Sequence, residues 1–85
     1  MKSFIIRAET GLHARPATLF INKSKEFSSE IKVIKNKKEV DGKKFLQLLS
    51  LGVLKDDLIY LKINGNDEKE AMNALEKLIV NNFAV

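Results

Sequence analysis

SFIIRAETGLHARPATLFINKSKEF, Ser3 to Phe27, changes its hydrophobic period once, and that change decides the fold. From Ser3 to Ala8 the residues alternate, with Phe4, Ile6 and Ala8 on one side and Ser3, Ile5 and Arg7 on the other. A period of two predicts a strand with one face on a core. Thr10 and Gly11 break the run. From about Ala14 the residues Ala17, Phe20, Ile21, Ser24 and Phe27 recur at three- and four-residue steps, predicting an amphipathic helix to about Lys25 or Glu26. Pro16, the only proline, fits the first turn, where a missing N–H costs nothing.

Working outward, Ile31–Lys35 and Glu39–Asp41 read as two short strands around a hairpin turn at Asn36-Lys37-Lys38. Lys43–Leu51 carries Phe45, Leu46, Leu48 and Leu49, too apolar for a loop, and Gly52 closes it as a short helix. Leu58–Ile63 alternates again. Asn64-Gly65-Asn66 then predicts a turn, and Asp67 with Glu70 predicts a capping box. The last helix presents Ala71, Ala74, Leu75, Leu78 and Ile79 on one stripe and runs to about Asn82. The order β-α-β-β-α-β-α, with one-sided strands and helices, predicts an α+β open-faced sandwich: a four-stranded, mainly antiparallel sheet with three helices on one face.

Composition narrows the function classes. Eighty-five residues predict one domain, 1–85, with a simple core. The absence of cysteine excludes a disulfide framework, a thiolate nucleophile and a cysteine zinc site. No metal is expected elsewhere: there is one histidine, with only Glu9 as a nearby carboxylate in sequence. The N-terminal apolar run is interrupted by charge too soon for a signal peptide or a spanning helix, so the expectation is a cytoplasmic protein with no membrane insertion. The net charge of +4 suits a phosphate-bearing ligand or an acidic partner. Lys35 to Lys38 alone make a weak case for nucleic acid, because no basic–aromatic strip accompanies them and no nucleic-acid partner is expected.

His13 is the single imidazole, placed where the strand has ended and the helix begins. A lone loop histidine is usually a surface or capping residue. A Ser–His–Asp arrangement is left open by spacing, although no serine lies in a nucleophile-elbow pattern. Its position favours something more specific. The first backbone N–H groups of a helix lack intrahelical partners and attract anions, to the extent of about 0.3–1 kcal/mol for a negative charge. Arg15 adds a planar fork of donors suited to phosphate oxygens. Neutral imidazole is a competent nucleophile near neutral pH. Gly11 permits the sharp turn that leaves the ring exposed. Together these groups are able to accept a phosphoryl group on nitrogen.

Gly11-Leu12-His13-Ala14-Arg15-Pro16-Ala17 resembles the active-site signature of the histidine-containing phosphocarrier (HPr) family of the bacterial phosphoenolpyruvate:sugar phosphotransferase system. Lys43 to Gly52, KKFLQLLSLG, is similar to that family's second signature, and the element order fits along essentially the whole chain. The resemblance implies that His13 takes a phosphoryl group on Nδ1 from phosphorylated enzyme I and passes it to a histidine of a sugar-specific enzyme IIA. Arg15 would neutralise phosphate charge, with Ala14, Pro16 and Ala17 starting the helix that faces it. Phe45, Leu46 and Leu49 would form an exposed docking patch, with Thr18, Lys23 and Lys25 on its rim. The implied protein is a monomeric stoichiometric carrier without cofactor, not an enzyme.

Lys44 occupies the position that is a kinase-regulated serine in many Gram-positive members. It has no hydroxyl and the wrong charge to mimic phosphoserine, so the resemblance implies a carrier without that switch. An HPr-like paralogue acting mainly as a regulatory docking module is the alternative. Asn36-Lys37 replaces the Asn-Gly often found in a tight hairpin, which predicts a longer turn or a residue at positive φ there. Asp56-Asp57 stands where the family often has glycine. Both departures are expected to bear on stability more than on activity.

Overall fold

A computed structural model describes residues 1–84. Its elements are β1 (Lys2–Ile5), α1 (Ala14–Ser24), β2 (Glu30–Lys35), β3 (Lys38–Asp41), α2 (Phe45–Ser50), β4 (Leu58–Asn64) and α3 (Glu68–Val80). The strands form one antiparallel sheet in the order β1-β4-β2-β3. The inward residues Ile31, Val33, Val40, Ile59 and Leu61 meet Ala17, Phe20, Ile21, Leu48, Ala71, Leu75, Leu78 and Ile79 of the helices in one buried cluster. Each large side chain fully removed from water stabilises the fold by about 1.5–3 kcal/mol. The open-faced α+β sandwich expected from the sequence is the observed architecture.

The boundaries differ where side chains or corners take over backbone hydrogen bonds. β1 stops at Ile5 rather than continuing to Ala8. Ile6 donates its N–H to the Asp57 carbonyl at 3.0 Å and accepts from the Asp56 N–H, while Ala8 accepts from Gly11 in a tight turn. Ile6 and Ala8 are still buried, so the alternation persists beyond the ladder. α2 begins at Phe45 rather than Lys43, because Asp41 takes both preceding amides, Lys43 N–H on its carboxylate and Lys44 N–H on its carbonyl. α1 ends at Ser24, just short of the expected Lys25 or Glu26, and α3 at Val80, short of Asn82.

The hairpin turn is shorter than the three residues expected. Lys35 pairs with Lys38, leaving Asn36 and Lys37 alone at φ 51° and 69°, the signs that a type I′ turn requires. Asp56 likewise turns its corner at φ 73°.

The capping box is a correction. Asp67 is the N-cap of α3 but makes no side-chain bond to that helix. Its carboxylate instead accepts the backbone N–H of Ser28 and of Ser29, each at 2.9 Å, and both serine hydroxyls. Glu68, not Glu70, reaches back, accepting from the Gly65 N–H at 3.2 Å. Asp67 therefore clamps the α1–β2 loop to the start of α3. The clamp also explains a close approach, since a Cβ on Gly65 would stand 2.5 Å from the Ser29 hydroxyl.

The Ser29 hydroxyl and the Ser28 N–H lower the Asp67 pKa to about 2. A carboxylate depressed in the folded state adds stability above its unfolded pKa, about 3.9 for Asp, and that stability is lost as pH falls through the folded value. Urea midpoints measured from pH 5 to pH 2 should fall across the window from about 4 to 2, and Asp67→Asn should flatten that part of the profile.

Candidate functional site

The site is built from the turn upward. Gly11 sits at φ 63°, its N–H bonded to Ala8 O at 2.9 Å, and the next residue, Leu12, donates to Val53 O at 3.0 Å. The turn thus lies on the backbone of Val53–Leu54. A Cβ on Gly11 would come within 2.1 Å of Val53 O and 2.7 Å of the Leu54 Cα. Leu12 plugs into the core at 2% exposure, so its neighbour His13 is turned outward and exposed. Alternation at a pinned turn gives the ring its access to solvent.

His13 is the N-cap of α1, with extended backbone at φ −141° and no side-chain cap. Ala14 then enters the helix at φ 54°. A non-glycine residue in that region costs of order 1–3 kcal/mol, held by its surroundings. Two hydroxyls bracket it: Thr10 Oγ1 donates to His13 O at 3.2 Å, and Thr18 Oγ1 donates to Ala14 O at 3.3 Å. Among the described residues, the N–H groups of Ala14 and Arg15 have neither a side-chain cap nor a carboxylate in the first turn. They leave donors and a partial positive charge beside the imidazole, the environment that favours an anion.

Arg15 is exposed and has no ion pair among the described residues, whereas its basic and acidic neighbours are engaged. Arg7 pairs with Asp56 at 3.0 Å and Lys55 with Glu9 at 3.1 Å. Arg15 lines a depression of about 410 Å³ with Arg7, Glu9, Thr10, Pro16 and Phe83. His13 stands outside that lining. Pro16 is half-buried and Ala17 fully buried, seating the start of α1 on the core. Phe83, unassigned from sequence, closes the depression from below. A backbone reversal places it there, with Asn82 at φ 53° and the Phe83 N–H on Leu78 O.

The apolar patch divides. Phe45 is 40% and Leu46 79% exposed, but Leu49 is half-buried and packs on the core cluster. Leu54, 65% exposed and directly behind Gly11, is the apolar residue that periodicity missed, because it lies in a loop. Thr18 and Lys25 are exposed, and Lys23 pairs with Glu26 at 3.2 Å. Lys44 is exposed at the N-cap of α2.

The loop beneath the turn has its own brace. Lys35 Nζ donates to Gly52 O at 2.7 Å and pairs with Asp57 at 2.7 Å, while Asp57 also accepts from the Leu54 N–H at 2.8 Å. The Lys35 ammonium, with the Leu54 N–H, holds the Asp57 carboxyl below its ordinary pKa. Lys38 donates to Ser50 O at 3.1 Å, so two hairpin lysines meet carbonyls at the end of α2, where cations are favoured. Lys35 to Lys38, a basic run in the sequence, is thus partly consumed inside the fold.

Comparisons with known proteins give the family. The family model described as "PTS HPr component phosphorylation site" matches residues 1–81. The chain belongs to the HPr family. Phosphocarrier protein HPr of Buchnera aphidicola is 40% identical over 78 residues, 92% of each chain. The HPr-like protein Crh of Halalkalibacterium halodurans is 43% identical over 74 residues, 87% of this chain and 88% of the relative. Among solved structures, HPr from Thermoanaerobacter tengcongensis is similar with a TM-score of 0.95 and 44% identity, covering 98% of this chain and 96% of that one. In this HPr-family phosphocarrier Lys44 lies at the N-cap of α2, outside the turn that displays His13.

The brace makes a prediction. Asp57→Asn should shift the amide resonances of Gly11 to Arg15 and slow phosphoryl acceptance by roughly three- to tenfold, as small misplacements of a reacting group do. Unchanged resonances and rates would show that Lys35–Asp57 does not reach the turn.

Proposed function

We propose that His13 accepts a phosphoryl group from phosphorylated enzyme I on Nδ1 and hands it to a histidine of a sugar-specific enzyme IIA. The observation that carries the reading is an exposed imidazole at the start of α1, beside N–H groups without a side-chain cap and an arginine without an ion pair among the described residues. In the first transfer the Nδ1 lone pair attacks phosphorus, the P–N bond to enzyme I breaks, and its electron pair returns to the donor imidazole. The second transfer repeats that exchange with His13 as donor. Arg15 and the amides of Ala14 and Arg15 offset the charge that the phosphoryl oxygens bring to this loop. Nothing else is consumed, so the protein acts as a stoichiometric carrier rather than an enzyme, in the cytoplasm where its donor works. No helix is long and apolar enough to cross a membrane among the described residues.

Phe45, Leu46 and Leu54 supply the apolar part of the docking surface, and Thr18 and Lys25 its rim. Leu49 supports the patch from within. A monomer suffices for this chemistry, although similar structures include an HPr dimer from Thermoanaerobacter tengcongensis and a swapped Crh dimer of Bacillus subtilis. Lys44 leaves the start of α2 without a serine hydroxyl and without that route of control.

Labelled phosphoenolpyruvate passed through enzyme I should give acid-labile, alkali-stable label on the native protein and none on His13→Ala. Arg15→Ala should keep the fold and lower onward transfer by roughly tenfold or more, the scale of a lost charge-stabilising donor. An unlabelled native protein with a cognate enzyme I would refute the carrier reading and leave the regulatory docking module as its replacement.

A further inference from the structure

The helices cover one face of the sheet, and the other carries an apolar strip that the fold does not use. Ile5 is the partner of Leu58 across β1–β4, and Tyr60 stands between Ser3 of β1 and Ile34 of β2. Ile5, Leu58 and Tyr60 are 38%, 44% and 40% exposed. Ile34, Leu58 and Tyr60 line a groove of about 470 Å³ walled by Met1, Asn36, Lys37 and the Lys35–Asp57 pair. That volume falls within the roughly 300–1,000 Å³ of small-ligand sites, which join an apolar floor to a few polar groups.

The polar groups select the ligand. Lys35 and Asp57 neutralise each other, and Lys35 is further occupied by Gly52 O. Lys37 has no carboxylate within ion-pair distance among the described residues, and it is held at the mouth by the type I′ turn. On the same face Lys32 and Lys62 are direct cross-strand partners, an arrangement of like charges that opposes itself. Of the strand carboxylates on this face, Glu30 stands opposite Asn64 at the start of β2, while Glu39 and Asp41 lie on the edge strand β3 opposite Ile34 and Lys32, with Asp41 already accepting from the Lys43 N–H. A flat apolar body with one negative charge would meet the Tyr60 ring, the aliphatic Ile34 and Leu58 and the Lys37 ammonium together.

We propose that this groove binds a small organic anion with a flat aromatic body, its rings on Ile34, Leu58 and Tyr60 and its carboxylate or sulfonate at Lys37. The groove shares the Lys35–Asp57 pair with the brace beneath the His13 turn, but the residues that would touch the ligand, Ile34, Lys37, Leu58 and Tyr60, take no part in that brace, so the proposal stands or falls apart from the carrier reading. The test is titration of 8-anilinonaphthalene-1-sulfonate into isotope-labelled protein, with neutral N-phenyl-1-naphthylamine as the control. Saturable one-to-one binding should move the amides of Ile34–Lys37 and Leu58–Tyr60. Lys37→Asn, which suits the positive φ, should weaken the sulfonate roughly threefold or more and leave the neutral amine unchanged. Tyr60→Thr, a strand-compatible change, should weaken both. Shifts centred on Phe45, Leu46 and Leu54, equal sulfonate affinity for Lys37→Asn, or no saturation would overturn the proposal.

Discussion

The close contact of Gly11 with the backbone of Val53 and Leu54 is the constraint on which the rest depends. With a Cβ position only 2.1 Å from a carbonyl oxygen, the turn admits no side chain there, and φ 63° adds a second reason for glycine. The contact fixes the Leu12 N–H on Val53 O, drops Leu12 into the core, and turns His13 outward. The imidazole is then exposed, with no side-chain hydrogen bond among the described residues. Its accessibility comes from packing next door, not from side-chain contacts.

The supports of this turn radiate through the fold. Val53 and Leu54 follow α2, whose last carbonyls meet Lys35 and Lys38 from the β2–β3 hairpin, and Asp57 returns the hold from the start of β4. The strain at Ala14 sits between Thr10 and Thr18, two hydroxyls that bond the carbonyls on either side of its own peptide turn. Charge that looks like surplus in the composition is thus unevenly spent. Lys35, Lys38 and Lys43 brace carbonyls, whereas Arg15, Lys37 and Lys44 have no ion pair among the described residues.

Periodicity made the layered fold legible, because Phe20, Ile31, Val33, Ile59, Leu61 and Leu75 each fall on the face that their spacing assigns. The turn at Gly11 and the helix start at Pro16 were legible for the same local reason. What stayed hidden depends on partners distant in sequence. Asp67 looks like a helix cap until Ser28 and Ser29, 39 and 38 residues away, compete for it. Lys35 and Asp57 carry no local pattern that joins them. Leu54 and Phe83 sit outside any periodic segment, so only the folded chain shows one exposed and the other buried. The left-handed Ala14 is equally invisible in sequence, since alanine is a poor candidate for positive φ.

Gly11→Ala is the most direct test of the central constraint. At a temperature where the variant remains folded by circular dichroism, the rate of phosphoryl acceptance from enzyme I should fall at least tenfold, roughly, as the reacting group is displaced. The amides of Leu12 to Arg15 should shift with it while α3 stays put. A folded variant that accepts the phosphoryl group at the native rate, with those amides unmoved, would contradict it.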